Sequence, residues 1–178
     1  MSAPANWFLR ADLLERRFCL AATVLVRRPG LRGLFRGVSR LGDGLFWYAL
    51  CAAMPVLLGP QGWFAAVQML ATGAVGLALY RVLKNRLVRE RPYIGYAAIP
   101  CAMPPLDRYS FPSGHTLHAV CFTTLALHWE PLLAALLMPF ALLVAMSRVV
   151  LGLHYPSDVL AGAGLGAALA TLSLVLTG

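Results

Sequence analysis

The sequence predicts an all-α protein, a multi-pass bundle of five to six transmembrane helices, and three observations favour it. Of its 178 residues, 60% are hydrophobic and only 12% are charged, whereas a typical soluble domain is roughly 45–50% apolar and about 25% charged. Several apolar runs approach the ~20 residues that carry a helix across a bilayer. No segment shows the polar–apolar alternation of a half-buried β-strand.

The formal net charge is +8, and Lys84 is the single lysine among many arginines. Basic residues beside apolar runs typically set membrane topology and meet anionic lipid headgroups. The expected partners are the lipid bilayer and a membrane-bound ligand, with no nucleic acid. The four cysteines are scattered without a CxxC pair, so no metal site and no redox cofactor is predicted.

Residues 1–44 are predicted to form an N-terminal amphipathic and basic region. Apolar and basic side chains at its start indicate a helix that lies in the membrane interface. The alternative is a short crossing by residues 11–28, which is less favoured because a span needs roughly 20 apolar residues. The basic stretch 27–40, with Pro29 and three glycines, is predicted to be a loop.

Residues 45–178 are predicted to form one transmembrane domain. The helix that starts in the run 63–83 is expected to continue until Pro92 stops it, and residues 93–112 form a proline-rich loop. In the last run, Gly162 and Gly166 form a small-xxx-small face for close helix packing. The five predicted spans are 45–59, 63–83, 113–129, 132–150 and 159–176.

Three polar stretches lie at the ends of these runs and share one membrane face if the spans are right. Ionisable groups beside hydrocarbon cost several kcal/mol unless they are paired or hydrated, so they are functional candidates. The stretches are Lys84-x6-Arg91-Pro92, Pro112-Ser113-Gly114-His115 and Ser147-Arg148-x5-His154-x3-Asp158.

The first chemical feature of this cluster is an excess of cations. Lys84, Arg91 and Arg148 have no comparable set of acids beside them in the sequence, so we expect an anionic ligand. Arginine presents a planar fork that matches phosphate oxygens, and lysine supplies a point charge. Ser113 and Gly114 start a helix, where backbone N–H groups and the helix dipole also bind anions.

Two histidines are the second feature. His154 and Asp158 are four residues apart, as expected of a nucleophile or base held by a carboxylate. Pro156 interrupts a helix between them, which places His154 in a turn with Ser157 or Asp158 capping the next helix. With His115 as a second imidazole, one ring can attack phosphorus while the other protonates the departing oxygen.

These stretches resemble the three signature motifs of the type 2 phosphatidic acid phosphatase (PAP2) superfamily, which also contains bacterial acid phosphatases and vanadium haloperoxidases. Every signature position between residues 84 and 158 matches in residue type and spacing. The resemblance implies a PAP2/haloperoxidase-like helical core, with 45–178 as a single catalytic domain. It also implies an integral membrane phosphatase that uses no metal or other cofactor.

The resemblance implies a role for each matching position. His154 would be the nucleophile that forms a phosphohistidine, Asp158 would hold its ring, and His115 would protonate the leaving oxygen. His118, one turn after His115, is a candidate to line the pocket. The implied phosphate-binding residues are Lys84, Arg91, Ser113, Gly114 and Arg148.

The site is expected at headgroup level, so the expected substrate is a lipid phosphate or pyrophosphate. Family members of this size act on undecaprenyl pyrophosphate, phosphatidylglycerophosphate, phosphatidic acid or lipid A, and the motifs do not separate these. Two alternatives remain open, a lipid phosphotransferase with the same intermediate and a non-catalytic lipid-binding membrane protein. The oligomeric state is also open.

A bacterial inner membrane is the expected location, but two arguments disagree about which face carries the site. The basic stretch 27–40 lies on the predicted face of the site, while the loops near residues 60 and 130 carry no Lys or Arg. The positive-inside rule therefore places the site in the cytoplasm. Bacterial relatives usually face the periplasm, and we give the resemblance slightly more weight.

Overall fold

The computed structural model describes the backbone of residues 4–177 and the side chains of residues 12–177. All regular elements in that part of the chain are helical, which confirms the all-α prediction. One isolated bridge, between Glu90 and Tyr109, is the only strand-like pairing there. The helices are α1 (Pro4–Thr23), α2 (Pro29–Gly42), α3 (Leu45–Leu58), α4 (Pro60–Arg86), α5 (Pro92–Gly95), α6 (Gly114–Trp129), α7 (Ala134–Val150) and α8 (Pro156–Thr177), with 3-10 turns at Val24–Arg27 and Pro131–Leu133.

Helix α6 is the centre of the bundle and packs against α4, α7 and, most extensively, α8. Among its residues only His128 is exposed. Glycines let α8 approach closely, since a Cβ atom at Gly162 would lie 2.4 Å from the carbonyl oxygen of Ser113, and one at Gly166 would lie 2.3 Å from that of Leu117. The predicted small-residue face is therefore confirmed, and it fixes α8 against the start of α6.

An aromatic cluster ties α3 and α4 to α6. Trp47 is 2% exposed and stacks on Phe122, with ring centroids 5.6 Å apart. Phe122 fills the space beside Gly73, where a Cβ atom would come within 2.7 Å of its ring. Burying a large apolar side chain contributes about 1.5–3 kcal/mol, so the cluster is a substantial part of the core.

Within residues 4–177, three segments are long and apolar enough to cross a membrane, namely Pro60–Arg86, Pro131–Val150 and Pro156–Thr177. Helices α2 and α3 meet at a bend of 53° and make a fourth if they form one span. The sequence predicted five to six. The difference arises from α3 and α6, whose 14 and 16 residues fall short of the ~20 that a span requires.

The stretch 27–40 is not the predicted loop, because residues 29–42 form helix α2. Pro29 takes the first helical position, where its fixed φ and missing N–H are tolerated. The helix buries one face against α7, and Phe35 on that face is 5% exposed. Burial of this face outweighs the cost of the glycines inside the helix, about 1 kcal/mol each.

Helix α4 ends at Arg86 and does not continue to Pro92 as predicted. Arg91 is extended, with φ −76° and ψ 153°, as is usual before a proline, and Pro92 then starts the short helix α5. The early end of α4 frees residues 87–91 to turn, so that the side chain of Arg91 is 1% exposed inside the bundle.

Helix α1 packs against α7 and α8 and is not among the candidate spans. Its Cys19 is fully buried, whereas Leu14 and Phe18 are 65% and 61% exposed. One buried and one exposed apolar face fit the predicted interfacial helix. The side chains of residues 1–11, which begin the predicted amphipathic region, lie outside the described part of the chain.

Candidate active site

The three polar stretches meet around a cavity of about 230 Å³ at one end of the bundle. The first stretch lies at the end of α4 and in the residues after it, the second at the start of α6, and the third at the end of α7 and in the turn before α8. Ser113 and Asp158 are fully buried beside this cavity without lining it. The predicted site residues that line it are Lys84, Arg91, Gly114, His115, His118, Arg148 and His154.

A tight turn between α7 and α8 holds His154. The carbonyl oxygen of Arg148 accepts the backbone N–H groups of Leu153 and His154, each at 3.0 Å. Gly152 has φ +76°, a conformation that strains other residues, and a Cβ atom there would lie 2.2 Å from the carbonyl oxygen of Pro100. The turn therefore requires glycine at 152, a requirement that the motif spacing did not reveal.

The two ring nitrogens of His154, which is 1% exposed, face opposite charges. Nε2 lies 3.2 Å from Nη1 of Arg91, which carries only donors, so Nε2 must accept and Nδ1 carries the proton. Nδ1 lies 3.6 Å from Oδ2 of Asp158. Burial, followed by the charges of Arg148 and Arg91, holds the pKa of His154 well below its ordinary value. The ring is therefore neutral, and its basic nitrogen faces cations.

Asp158 lies in the first turn of α8. Its Oδ2 accepts the backbone N–H of Tyr155 at 2.8 Å. Of the two predicted capping residues, Asp158 is therefore the one whose side chain caps the helix. Its Oδ1 lies 2.7 Å from Nη1 of Arg89. Glu15 of α1 holds the other end of the same guanidinium, with Oε2 2.6 Å from Nη2. Neither Arg89 nor Glu15 was predicted.

The expectation of cations without acids beside them is wrong for Lys84 and Arg91. Nζ of Lys84 lies 2.7 and 2.6 Å from the two carboxylate oxygens of Asp107, and Nη2 of Arg91 lies 2.7 Å from Oδ1 of that carboxylate. Burial alone would raise the pKa of Asp107, but Lys84 and Arg91 outweigh it and hold the pKa below its ordinary value. Asp107 reaches them from the loop 96–113, whose path the spacing did not predict.

Arg148 is 2% exposed and reaches the cavity from α7. One of its terminal nitrogens donates to Oγ of Ser39 on α2. Its Nε has no hydrogen-bond partner among the side chains that the structure describes, and a buried unpaired donor costs roughly 1–3 kcal/mol. An oxygen of a bound anion would recover that cost. Ser39 went unpredicted because its segment was expected to be a loop.

His115 enters the cavity from the first turn of α6, and its Nε2 contacts Oδ1 of Asp43, which follows α2. Ser113 is the N-cap of that helix, and its Oγ accepts the N–H of Thr116 at 3.4 Å. Its hydroxyl is therefore engaged in the helix start, while Gly114 lines the cavity. Asp43 matches no signature position, and nothing in its spacing predicts that it contacts a histidine.

His118 lines the same cavity and bridges two helices. Nδ1 lies 2.9 Å from the carbonyl oxygen of Gly114, and Nε2 lies 3.2 Å from that of Gly73. A neutral imidazole carries one N–H, so only one of these carbonyls accepts a hydrogen bond while the ring is neutral. The two contacts fix His118 as a wall of the cavity between α4 and α6.

Sequence comparison identifies the family. A profile of the PAP2 superfamily matches residues 63–178. The chain belongs to the PAP2 superfamily. A decaprenylphosphoryl-5-phosphoribose phosphatase of Mycobacterium tuberculosis is 34% identical over 151 residues, which cover 82% of this chain and 80% of that protein. Phosphatidylglycerophosphatase B of Bacillus subtilis is 31% identical over 172 residues, which cover 82% of this chain and 74% of that protein.

Structural comparison agrees with this assignment. The crystal structure of a transmembrane PAP2 type phosphatidylglycerolphosphate phosphatase from Bacillus subtilis matches with a TM-score of 0.78 at 27% identity, covering 94% of this chain and 86% of that one. This PAP2 chain is therefore a membrane protein and a phosphatase, an enzyme that hydrolyses phosphate esters. The predicted family, fold and enzyme class are confirmed.

Proposed function

We propose that this PAP2 protein hydrolyses a lipid phosphate or pyrophosphate through a phosphohistidine formed on His154. The observation that carries the proposal is the position of Nε2 of His154, which lies 3.2 Å from Nη1 of Arg91 and faces the cations of a cavity that His115 also lines. A nucleophile, an acid and positioned cations are the groups that phosphoryl transfer requires from a protein.

The first step transfers the phosphoryl group to the protein. Nε2 of His154 attacks phosphorus, the bond from phosphorus to the lipid oxygen breaks, and His115, protonated in the complex with the anionic substrate, gives its proton to that oxygen and becomes neutral. The ring of His154 is then positively charged, and Asp158 faces it across 3.6 Å. In the second step water attacks phosphorus, His115 accepts a proton from it, and Nε2 leaves with the electrons of the P–N bond.

The contacts of the cations support a phosphate at this position. An oxygen of the phosphate would take the place of Asp107 at Lys84 and Arg91, and another would meet the unpartnered Nε of Arg148. The leaving oxygen would take the place of Asp43 at His115. Because the side chains supply the counter-charge themselves, we expect turnover without an added metal ion.

The rest of the cavity supports a lipid as the carrier of the phosphate. Tyr48 and Leu70, on α3 and α4, line it and are 64% and 43% exposed, so the cavity opens toward the surface of the bundle along an apolar path. We assign a prenyl or glycerophospholipid phosphate as substrate, with its chain along this path. Both classes occur in the names of the relatives above. Other apolar lining residues are Trp47, Ala74, Leu77 and Phe122.

We place the protein in a bacterial inner membrane with the site toward the periplasm. One arginine of the stretch 27–40 has a structural role, which weakens the argument from basic residues for a cytoplasmic site. Nε of Arg36 donates to the carbonyl oxygen of Ala102 at 2.5 Å. Cys101 is the exposed cysteine of the described residues and lies in the loop 96–113. A membrane-impermeant maleimide is expected to label it on intact cells, and labelling in inverted vesicles alone would reverse the assignment.

Phosphate release by the purified protein tests the proposed chemistry. The substrates are prenyl phosphates and pyrophosphates, phosphatidylglycerophosphate and phosphatidic acid, assayed with EDTA present. We expect release from at least one of them, and a loss of roughly 1,000-fold or more in His154→Asn and His115→Asn. His128→Asn is the matched control, because His128 is the exposed residue of α6, and it should keep wild-type activity.

The covalent intermediate has its own test. Protein that is quenched in alkali during turnover of ³²P-labelled substrate should retain label, and His154→Asn should retain none. Wild-type turnover in His154→Asn would sink the proposed mechanism. Adding an alcohol to the assay distinguishes hydrolysis from phosphotransfer, since a phosphotransferase would yield a new phosphate ester.

A further inference from the structure

A buried carboxylate lies behind the proposed nucleophile and needs a counter-charge. Asp158 is fully buried, and an ionised carboxylate removed from water costs several kcal/mol unless it is paired. Its charged partner is Arg89, whose Nη1 lies 2.7 Å from Oδ1. The other oxygen, Oδ2, accepts the N–H of Tyr155 and faces Nδ1 of His154. Arg89 and the N–H of Tyr155 therefore together determine which carboxylate oxygen faces the histidine.

Arg89 is itself held by three parts of the chain, two through its guanidinium and one through its backbone. Glu15 of α1 lies 2.6 Å from Nη2, and Oγ of Ser157 in α8 lies 2.7 Å from Nη1. The carbonyl oxygen of Arg89 accepts the N–H of Ser110, in the loop before α6, at 2.8 Å. The Cζ atom also lies 4.0 Å from the centre of the Tyr155 ring. A side chain fixed at so many points is suited to positioning another group.

The charges of this group do not cancel while His154 is neutral. Glu15 and Asp158 contribute two negative charges and Arg89 one positive charge, so the trio carries a net charge of −1. Cys19 and Tyr155 are the other titratable side chains that pack beside Asp158, and both are uncharged in their ordinary forms near neutral pH. A positive charge on the ring of His154 would therefore bring the whole group to neutrality.

We propose that Arg89 is a positioning residue for phosphoryl transfer, which together with Glu15 keeps Asp158 turned toward the positive charge that forms on His154. The inference rests on the proposed function, because it concerns the ring that would carry the phosphoryl group. Arg89 does not line the cavity, so its effect on turnover passes through Asp158.

Variants of Arg89 test the inference through the balance of kcat and KM. Arg89→Gln should lower kcat by roughly 10–100-fold, by analogy with the loss of the partner that orients a histidine at a metal site, while KM stays within about twofold because the phosphate-binding cations are intact. Arg89→Lys should recover part of the loss. Arg86→Gln is the matched control, since Arg86 belongs to the same basic run but ends α4 and is exposed, and it should keep wild-type kcat.

A double-mutant cycle separates positioning from a general structural role. In an Asp158→Asn background, Arg89→Gln should cause no further loss of kcat, because the group through which it acts is already neutral. If the two losses of kcat add in full in the double variant, or if Arg89→Gln keeps wild-type kcat, the inference is overturned. If Arg89→Gln fails to fold, Glu15→Gln is the milder variant, and it should lower kcat less than Asp158→Asn does and leave KM unchanged.

A measurement without turnover distinguishes this inference from the proposed function. The chain has four histidines, so ¹⁵N NMR of histidine-labelled protein, assigned with His154→Asn, reports the tautomer of His154. We expect Nδ1 to be protonated in both proteins, because Arg91 donates to Nε2 in both, and we expect the Nδ1 signal to shift in Arg89→Gln because Asp158 is less firmly held toward it. An unchanged His154 spectrum in Arg89→Gln overturns the positioning role and leaves the proposed function standing, whereas wild-type turnover by His154→Asn overturns the proposed function, on which the inference rests.

Discussion

The carboxylate of Asp107 lies against Nζ of Lys84, with its oxygens 2.7 and 2.6 Å from that nitrogen. This contact brings a negative group from the loop 96–113 to the position where the proposed mechanism puts the substrate phosphate. The side chain of Asp107 is 36% exposed, so it can leave without disrupting the core. In the proposed mechanism, Asp107 and the substrate phosphate therefore compete for the same cations.

Replacing Asp107 with Asn is expected to strengthen phosphate binding. Asn keeps the size but removes the competing charge, and partly exposed ion pairs are worth up to about 1 kcal/mol, or roughly fivefold in binding. We expect KM and the Ki of inorganic phosphate to fall by about that factor in steady-state assays, with kcat unchanged. Glu90→Gln is the control, because Glu90 is exposed and adjoins Arg91. A higher KM in Asp107→Asn would show that Asp107 assists binding.

The neutral state of His154 predicts how the rate depends on pH. Burial and the neighbouring cations hold its pKa well below the ordinary value of about 6.5, so Nε2 stays unprotonated at neutral pH. The nucleophile should therefore cause no acid limb of kcat/KM near pH 6.5, only one at lower pH. Rates of phosphate release between about pH 4.5 and 8 measure this. An acid limb near pH 6.5 that coincides with titration of the His154 ¹⁵N signals would contradict it.

The same lowered pKa affects stability. As the pH falls below about 6.5 the unfolded chain protonates His154, whereas the folded chain stays neutral there until lower pH. The unfolded state then binds more protons, so the free energy of unfolding should fall as the pH drops through this window. Thermal unfolding between about pH 5 and 8 should show a smaller pH slope in His154→Asn than in the wild type, and equal slopes in the two proteins would contradict this prediction.

Gly152→Ala is expected to damage both folding and turnover. The Cβ atom would lie 2.2 Å from a backbone oxygen, at a positive φ that alanine rarely adopts, so the turn that carries His154 must shift. Strain of this kind costs about 1–3 kcal/mol, and we expect a lower Tm and a kcat reduced at least about tenfold. Gly164→Ala is the control, because a Cβ there meets nothing within 4 Å and should stabilise α8 by up to about 1 kcal/mol. An unshifted Tm in Gly152→Ala would show that the turn does not require glycine at 152.

Ser39→Ala tests whether α2 contributes to the site. The change removes the hydroxyl that Arg148 contacts and leaves that guanidinium less firmly oriented. A hydrogen bond to a charged group is worth about 1.5–3 kcal/mol, so we expect KM to rise by roughly tenfold. Gly37→Ala on the same helix, where an added Cβ meets nothing within 4 Å, should leave KM unchanged. An unaltered KM in Ser39→Ala would limit α2 to a packing role.

Hydropathy and spacing were sufficient to predict the bundle and the meeting of the three motifs. Each motif adjoins an apolar run, so the order of the helices alone places His115 and His154 at one end of the molecule. The region around α2 was not predictable in this way, since its glycines and arginines resemble a loop. Burial of Phe35 and Val38 in the core stabilises that segment as a helix.

The groups that complete the site could not be predicted, because they come from segments without a regular period. Asp107 and Asp43 lie in connections between helices, where spacing does not indicate the path of the chain. Arg86 and Arg89 belong to one basic run and look alike in the sequence. The end of α4 separates them, because Arg86 stays exposed on the helix while Arg89 turns inward to Asp158.

The enclosure of α6 has a mechanical consequence. When a bilayer is thicker or thinner than a protein, the resulting forces act on the surfaces that acyl chains touch. Helices α4, α7 and α8 surround α6, and His128 is its one exposed residue. The helix that supplies the proposed acid is therefore shielded from such forces, and its position relative to His154 is set by protein contacts in thick membranes, thin membranes and detergent alike.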